Sequence, residues 1–264
     1  MVCANCFTNL SGGHYCHECG QKSTDLRYSL KGMFTDFFFS VLHVEKKGLP
    51  HTIRELTLRP GDAIRRVIRG QRQYLYPPFK YLVLMGAAVI IFSLRYKFFH
   101  SDYTQTDKMS NLLEDFLVEE HLTYLDGFFA FAEEKATILN IASIPIFAFV
   151  SWAFVTRKKY NFAENLIINS FITAQQLFFL LTLVPIIELL PAFKGQIIFF
   201  YSFAIIIYNI VVYMQLMEKK KLRVMFVSLL AVIFSFAYQV PVNLLIYFLY
   251  EKSHGHFHWV HDMM

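Results

Sequence analysis

The stretch LIINSFITAQQLFFLLTLVPIIELL, residues 166–190, has a single carboxylate, Glu188, and is otherwise apolar or neutral. As an α-helix it is about 37 Å long, enough to cross the hydrocarbon core of a bilayer, which is about 30 Å thick. A core helix of a soluble bundle would carry a polar face at helical spacing, and this stretch has only scattered polar residues. It therefore predicts a transmembrane helix.

Similar apolar blocks occur on both sides of this stretch. The predicted spans are residues 79–99, 136–155, 166–190, 197–217 and 224–250. The first is the least regular, because Arg95 and Lys97 interrupt its end, although both can snorkel to the interface. The chain is 55% hydrophobic and has 29 phenylalanines, a load that soluble domains rarely carry. We predict an all-α integral membrane protein with about five transmembrane helices within residues 79–250.

Charge alternates between successive connections. Residues 1–80 contain twelve Lys and Arg against six Asp and Glu, whereas residues 100–135 contain two Lys against nine acids. The connections at 157–159 and 219–223 are again basic. Since basic connections stay in the cytoplasm, the N-terminus is predicted to be cytoplasmic and the C-terminus periplasmic. No apolar signal peptide is visible, so the first span is expected to direct insertion.

All four cysteines lie near the start of the chain, in two C-x-x-C pairs separated by nine residues. They are Cys3, Cys6, Cys16 and Cys19. This doubled spacing is typical of a structural Zn²⁺ site with four thiolates. A redox dithiol normally needs only one pair, and a disulfide needs an oxidising compartment. His14 and His17 are near enough to be spare ligands, but four thiolates already fill the shell. We predict a metal-folded zinc ribbon over residues 1–23.

The two predicted zinc knuckles differ in the residue that follows the second cysteine. Gly20 follows Cys19 and can adopt the left-handed backbone that a knuckle needs. Phe7 follows Cys6, so the first knuckle is expected to be less regular. A closed four-thiolate shell leaves no position for water or substrate, which makes the predicted site structural and not catalytic.

Residues 24–78 form a basic juxtamembrane region. Apolar residues at three- and four-residue steps from Ser29 to Val44 predict an amphipathic helix. A proline-glycine pair at 60–61 separates two further short helices, and Asp62 is expected to cap the second. That region carries four candidate lipid- or partner-binding residues, Arg65, Arg66, Arg69 and Arg72.

These arginines suit an amphipathic helix lying on an anionic leaflet. They also suit a topology signal for the first span, and the two roles are compatible. Nucleic-acid binding is a third use of zinc ribbons and arginine clusters. It is disfavoured here because the arginines adjoin the bilayer.

The order of short motifs in this N-terminal part is similar to that of a known family. The motifs are Cys-x-Asn-Cys at 3–6, Tyr-Cys-x-x-Cys-Gly-Gln at 15–21, Thr-Ile-x-x-Leu at 52–56, Arg-Pro-Gly at 59–61, Ile-Arg at 64–65, Gly-x-Arg at 70–72 and Tyr-x-Pro at 76–78. They resemble the bacterial, Bacteroidetes-type domain-of-unknown-function family numbered 3667, over about residues 1–95. Phe7 and Gln71 depart from its pattern. The resemblance implies a bacterial inner-membrane protein with a zinc ribbon, but no activity.

A few polar side chains within the predicted spans are candidates for a transport path. They are Gln175, Gln176, Gln239 and Asn243. Hydrogen bonding between helices is the commoner role of such residues. The tail, residues 251–264, contains His254, His256, His258 and His261. These histidines can bind a transition metal, but we favour an interfacial anchor on the outer face, because a tail without supporting contacts binds metal weakly.

The sequence therefore favours a docking or scaffolding role for the ribbon and basic linker, with a cytoplasmic protein or anionic membrane lipids as partner. The alternative is a small-molecule or ion transporter or channel that uses the polar residues of spans three to five. A membrane-embedded enzyme is the third possibility, and the sequence offers no catalytic constellation for it.

Overall fold

A computed structural model describes residues 2–10, 14–21, 28–30, 48–96 and 141–217. Within these ranges every regular element is helical, and pairing of extended backbone is limited to isolated bridges such as Val2 with Asn9. The helices are α1 (Leu49–Leu58), α2 (Pro60–Ile68), α3 (Pro78–Tyr96), α4 (Ile144–Ser151), α5 (Phe162–Leu189) and α6 (Lys194–Met217). A π-helical turn, Trp152–Thr156, extends α4, and a 3-10 turn, Pro191–Phe193, joins α5 to α6. The helical class is confirmed for these residues.

Helix α5 is the centre of the bundle. Its N-terminus has a capping box, in which the Asn161 side chain accepts from the Glu164 N–H and the Glu164 carboxylate accepts from the Asn161 N–H, both at 2.8 Å. Helices α3 and α4 pack along α5, and α6 runs back beside it. The fully buried side chains of Ile167, Ile168 and Phe171 lie at the core of these contacts.

Two helical segments are long and apolar enough to cross a membrane, Phe162–Leu189 and Pro191–Met217. They correspond to the predicted third and fourth spans. The apolar parts of α3, Pro78–Phe92, and of α4 with its π-turn, Ile144–Thr156, are shorter. Among the described residues, therefore, two helices and not five meet the criteria of length and composition.

Three predicted segments lie outside the described residues. They are the amphipathic helix from residue 31 onward, the fifth span at 224–250 and the histidine tail at 251–264.

The two membrane-length segments differ in their surroundings. Half of the most apolar stretch of α5 is buried inside the protein. Only 17% of the corresponding stretch in the segment that contains α6 is buried. Phe199, Phe200 and Phe203 of α6 are 68%, 68% and 59% exposed. A core helix of a soluble protein would bury such side chains. Helix α6 therefore has a large apolar surface that no other described residue covers.

Helices α1 and α2 form a unit that we call the basic hairpin, residues 49–68. It meets the bundle closely at Gly61, where an added Cβ would stand 2.5 Å from both Cβ of Gln215 and the carbonyl oxygen of Val212. The Gly61 N–H also donates to Oε1 of Gln215 at 2.8 Å. Behind this contact, α2 buries Ala63, Ile64, Val67 and Ile68. The apolar face predicted for α2 therefore packs against protein.

The start of α2 differs from the prediction. Arg59 occupies the N-cap position without a side-chain cap, and Pro60 begins the helix. Proline suits the first helical position because its missing N–H would have no partner there. Asp62 lies within the first turn and forms an ion pair with Arg65. The prediction that Asp62 caps α2 is wrong.

Candidate metal centre

The four predicted zinc ligands lie together. The Sγ atoms of Cys3 and Cys19 are 3.6 Å apart, and those of Cys6 and Cys16 are 3.5 Å apart. All four sulfur atoms lie within 4.8 Å of one another, and none is in a disulfide. Thiolates at about 2.3 Å from a tetrahedral Zn²⁺ are about 3.8 Å from each other. The cluster therefore has the size and the donor set that a four-thiolate metal site requires.

The two C-x-x-C turns have the same backbone hydrogen bonds. In the first, the Cys3 N–H donates to Thr8 O at 2.9 Å and the Phe7 N–H to Cys3 O at 3.0 Å. In the second, the Cys16 N–H donates to Gln21 O at 2.8 Å and the Gly20 N–H to Cys16 O at 2.9 Å. We call the turns knuckle 1, residues 3–8, and knuckle 2, residues 16–21.

Knuckle 1 is as regular as knuckle 2, contrary to the prediction. Phe7 has a φ of 61°, and Gly20, at the equivalent position, has a φ of 72°. An L-residue in this left-handed region costs about 1–2 kcal/mol because its Cβ crowds the following carbonyl. The hydrogen bonds of the turn hold Phe7 in that conformation.

The second cysteines of the two knuckles differ in acidity. Hydrogen bonds with Thr8, whose Oγ1 lies 3.4 Å from Sγ, lower the pKa of Cys6 to about 6. Burial raises the pKa of Cys19 to about 11. Metal binding requires thiolates, so the hydrogen bonds of Thr8 favour the metal-binding form of Cys6, whereas burial disfavours that of Cys19.

His14 and His17, the possible spare ligands, are exposed and belong to no metal-ligating group within the described part of the chain. The four cysteines therefore make up the cluster without a histidine ligand. Tyr15 and Phe7 are also exposed, by 63% and 69%, and add aromatic surface to this module.

Gln21 joins knuckle 2 to the helical body. Its Nε2 donates to the carbonyl oxygen of Gly70 at 2.6 Å, and its Oε1 accepts from the Arg72 N–H at 3.1 Å. The residue is 8% exposed, and its partners lie in the α2–α3 loop, residues 69–77. Both hydrogen-bonding ends of one side chain are therefore used to hold the cysteine cluster against the α2–α3 loop.

Tyr28 forms a second link between this loop and the bundle. The Arg72 guanidinium lies over its ring, 4.3 Å from the centroid. The Tyr28 carbonyl oxygen accepts from Nδ2 of Asn161, the residue that caps α5, at 3.0 Å. The N-terminal segment is thus connected, through Arg72 and Tyr28, to the start of the central helix.

The four predicted binding arginines have different surroundings. Arg65 is paired with Asp62, and Arg72 lies over Tyr28. Arg66 is exposed, and its guanidinium lies 4.9 Å from the centroid of the Tyr74 ring. Arg69 is exposed at the end of α2. The structure does not bring all four together into one site.

Positive charge is concentrated at one end of the bundle. Nζ of Lys159 and Oη of Tyr160 donate to Leu216 O at 2.8 and 3.2 Å, which places the α4–α5 turn beside the C-terminus of α6. Of the cations whose side chains the structure describes, Lys194 lies at the opposite end. The contacts of Gly61 with Gln215 and of Arg72 with Tyr28 bring α2 and its following loop to the same end as the α4–α5 turn, and this basic end contains Arg59, Arg65, Arg66, Arg69, Arg72, Arg157, Lys158 and Lys159. Segments far apart in sequence therefore share one electrostatic surface.

Gln175, a candidate transport residue, is fully buried and bonded between helices. Its Oε1 accepts from the Tyr81 hydroxyl at 2.6 Å, and its Nε2 donates to Oγ1 of Thr57 at 2.9 Å. Gln176 accepts a 2.9 Å hydrogen bond from Tyr201, but through its backbone oxygen. Gln239 and Asn243 lie outside the described residues. The described geometry of Gln175 is that of a link between α1, α3 and α5.

Three residues that hold the site in place were missed by sequence reasoning. Gln21, Tyr28 and Gln215 act on partners that are 51, 133 and 154 residues away in the chain. The one available signal was the position of Gln21 directly after Cys-Gly, where the chain leaves the knuckle.

Comparisons of the chain with protein-family models, with curated proteins and with solved structures give no match. The class that the fold defines is therefore a helical bundle with two membrane-length helices and a four-cysteine cluster. The resemblance to the family numbered 3667 stays a prediction.

Proposed function

We propose that the protein is a multi-pass bacterial inner-membrane protein whose cytoplasmic zinc ribbon and basic linker form a docking module for a protein partner or an anionic lipid. The observation that carries this proposal is the pair of hydrogen bonds in which Gln21 donates to Gly70 O and accepts from the Arg72 N–H. They hold a small metal-folded module on the helical body, so that whatever the module binds is retained at the basic end.

Zn²⁺ is the ion that best suits the site. Four thiolates in a tetrahedral arrangement favour zinc over the harder divalent cations, which prefer oxygen ligands. About twenty residues bury too little apolar surface to fold alone, so the ion supplies the folding energy of the ribbon. A filled shell gives the ion a structural role and leaves recognition to the surface of the ribbon.

The proposed contact surface for a protein partner is aromatic. Phe7 and Tyr15 are exposed on a module that its metal and Gln21 keep rigid. Rigid aromatic side chains contribute strongly to interfaces, because they bury a large area at a small cost in conformational entropy.

The proposed membrane location is supported by two features. Helix α6 exposes an apolar surface over much of its length, and eight described cations at the basic end oppose Lys194 at the other end. Because basic connections remain cytoplasmic, we propose that the cysteine cluster is cytoplasmic and that the α5–α6 turn lies outside. We propose five membrane spans, the fifth of which follows α6, and a relationship to the family numbered 3667.

Transport, the alternative from sequence, gains no support from the described residues. The amide of Gln175 is fully buried and is bonded at its oxygen by Tyr81 and at its nitrogen by Thr57, so both ends have partners within the bundle. We therefore treat Gln175 as an interhelical bond.

The docking proposal is tested by crosslinking the full chain to cytoplasmic proteins in its native membrane and identifying the products. We expect Tyr15→Ala to abolish a specific crosslinked partner and to retain the bound metal. Phe199→Ala, which removes an equally exposed aromatic ring from α6, is the matched control and is expected to keep the partner. Equal crosslinking by wild type and Tyr15→Ala, or loss of the partner with the control, contradicts the proposed surface.

A further inference from the structure

We propose that metal binding in the cysteine cluster is transmitted to the first turn of α5, so that the ribbon acts as a metal-dependent switch on the junction of α4, α5 and α6. The connection runs from Gln21 through Arg72 and Tyr28 to Asn161, the N-cap of α5. This inference deepens the proposed function, because it adds a regulation of the docking module, and it rests on the proposed metal.

The ribbon has two states that differ in the position of Gln21. Its four sulfur atoms lie within 4.8 Å of one another, and thiolates at that spacing repel each other unless a cation lies between them. The Cys16 N–H donates to Gln21 O at 2.8 Å, so Gln21 is itself part of knuckle 2. Without metal the knuckle does not fold, since about twenty residues bury too little apolar surface. Metal binding therefore decides whether the Gln21 side chain is held in place.

Gln21 holds the backbone of the α2–α3 loop at two points. Its Nε2 donates to Gly70 O at 2.6 Å, and its Oε1 accepts from the Arg72 N–H at 3.1 Å. Gly70 has a φ of 105°, which glycine adopts readily, and its N–H donates to Val67 O at 3.0 Å at the end of α2. The loop thus leaves α2 through a sharp turn, and Gln21 fixes the backbone of Arg72 just after it.

Arg72 carries the connection to Tyr28. Its guanidinium lies 4.3 Å from the centroid of the Tyr28 ring, and Tyr28 is buried. A cation over an aromatic ring at this distance is attracted to the ring face, more strongly where water is excluded. Because Gln21 fixes the Arg72 backbone, the guanidinium holds Tyr28 most firmly while the ribbon is folded.

The Tyr28 carbonyl orients the amide that caps α5. Nδ2 of Asn161 donates to Tyr28 O at 3.0 Å, which leaves Oδ1 to accept from the Glu164 N–H at 2.8 Å. An amide has one donor end and one acceptor end, and with Nδ2 turned toward the Glu164 N–H it could not cap the helix. Loss of the Tyr28 contact therefore weakens the N-cap of α5.

This cap lies where three helices meet. The Asn161 carbonyl oxygen accepts from the N–H of Asn165 at 3.1 Å and from its Nδ2 at 2.8 Å. Oδ1 of Asn165 accepts from Oγ1 of Thr156, in the π-helical turn, at 2.7 Å. Nζ of Lys159 donates to Leu216 O of α6 at 2.8 Å. A weaker cap therefore loosens the ends of α4 and α6 as well as that of α5.

The test is hydrogen exchange of the full chain in neutral detergent, measured with zinc bound and after a chelator has removed it. We expect zinc removal to speed exchange of the Glu164 and Asn165 N–H groups about fivefold in wild type, because a lost N-cap has an effect of that size. Residues 172–175, in the buried middle of α5, are the internal control and are expected to change less than about twofold.

Three variants locate the connection. Gln21→Ala removes both hydrogen bonds to the loop, so the first turn of α5 should exchange fast even with zinc bound and should not respond to the chelator. Arg72→Ala keeps those bonds, because Gln21 contacts only the backbone of the loop, but it removes the contact with Tyr28. It should abolish the response while residues 70–72 stay protected. Tyr15→Ala, which removes an exposed ring of the ribbon, is the matched control and should respond as wild type does.

Three outcomes overturn the proposal. Unchanged exchange at Glu164 in wild type after zinc removal would mean that the ribbon and α5 are independent. A wild-type response in Gln21→Ala would mean that the connection does not run through this residue. An equal increase at residues 172–175 would mean that the metal supports the whole bundle and not its cap. Because the crosslinking of Tyr15 is a separate measurement, loss of the response with a retained partner contradicts this inference alone.

Discussion

The two knuckles have the same backbone conformation, but the residues that follow their left-handed positions have different roles. The position after the left-handed residue is Thr8 in knuckle 1 and Gln21 in knuckle 2. Thr8 hydrogen-bonds with its own knuckle, at Cys6, whereas Gln21 hydrogen-bonds with the α2–α3 loop. Knuckle 1 therefore lowers the pKa of one of its own ligands, whereas knuckle 2 attaches the module to the helical body.

The largest expected effect is on metal binding. Although the two knuckles have different roles, each of the four cysteines is expected to be needed to hold the metal. Replacing Cys6 by Ser, or Cys19 by Ser, leaves three thiolates and is expected to weaken Zn²⁺ binding by about 100-fold or more. Zinc content of the purified full chain is measured in competition with a chelator. If Cys6→Ser retained about one zinc per chain while Cys19→Ser lost it, the shared site would be disproved.

The attachment is expected to depend on Gln21 and not on Thr8. Gln21→Ala removes two hydrogen bonds, worth about 1 kcal/mol each, so the cluster should detach about 30-fold more often. Hydrogen exchange over residues 70–72 reports the detachment. Thr8→Ala is the matched control and should leave this exchange unchanged. Protection that persists in Gln21→Ala would show that other contacts carry the attachment.

The tuning of Cys6 is expected to appear as a pH dependence. Because Thr8 lowers the pKa of Cys6, this thiol is largely ionised near neutral pH and releases less than a full proton when the metal binds. In Thr8→Val the side-chain hydrogen bond is lost and the backbone hydrogen bond remains, so the pKa rises part of the way toward that of an ordinary thiol, about 8.5, and zinc affinity at pH 7 should fall about tenfold.

At about pH 10 the difference in zinc affinity between wild type and Thr8→Val should disappear, because Cys6 is then ionised in both proteins without metal. Competition titrations at pH 7 and pH 10 give the two values. An equal loss at both pH values would mean that knuckle 1 forms only with its metal, and no loss at pH 7 would refute the tuning by Thr8.

The smallest expected effect concerns the left-handed residues. Gly20→Ala should destabilise the metal-bound ribbon by about 1 kcal/mol, because its φ of 72° is unfavourable for an L-residue. Phe7→Gly should stabilise it by about 0.5–1 kcal/mol, since the same strain is relieved at a cost in chain entropy. Thermal unfolding of the zinc-loaded chain measures both, and effects of equal sign would contradict the matched geometry.

Sequence patterns predicted the features that depend on local spacing. The doubled C-x-x-C spacing located the cysteine cluster, and apolar length located α5 and α6. The regularity of knuckle 1 was not predicted, because glycine is the residue expected at a left-handed position. The hydrogen bonds that constrain Phe7 form only in the folded turn.

No pattern in the sequence indicated which distant segments are in contact. The basic segment was predicted to lie on the leaflet, to act as a topology signal, or both, and neither role predicted that α2 packs on α6 through Gly61 and Gln215, which are 154 residues apart. Amphipathicity shows that a face is covered, but not by what.

The Gly61 contact also sets an order of events during synthesis. The groove that receives Gly61 is formed by Val212, Gln215 and Leu216, which leave the ribosome about 150 residues later. At about 5–20 residues per second, the hairpin waits roughly 8–30 s for its partner helix. Until then the apolar face of α2 lacks the helix on which most of it packs in the folded protein. The mature position of the hairpin is thus one of the last contacts that biosynthesis can complete.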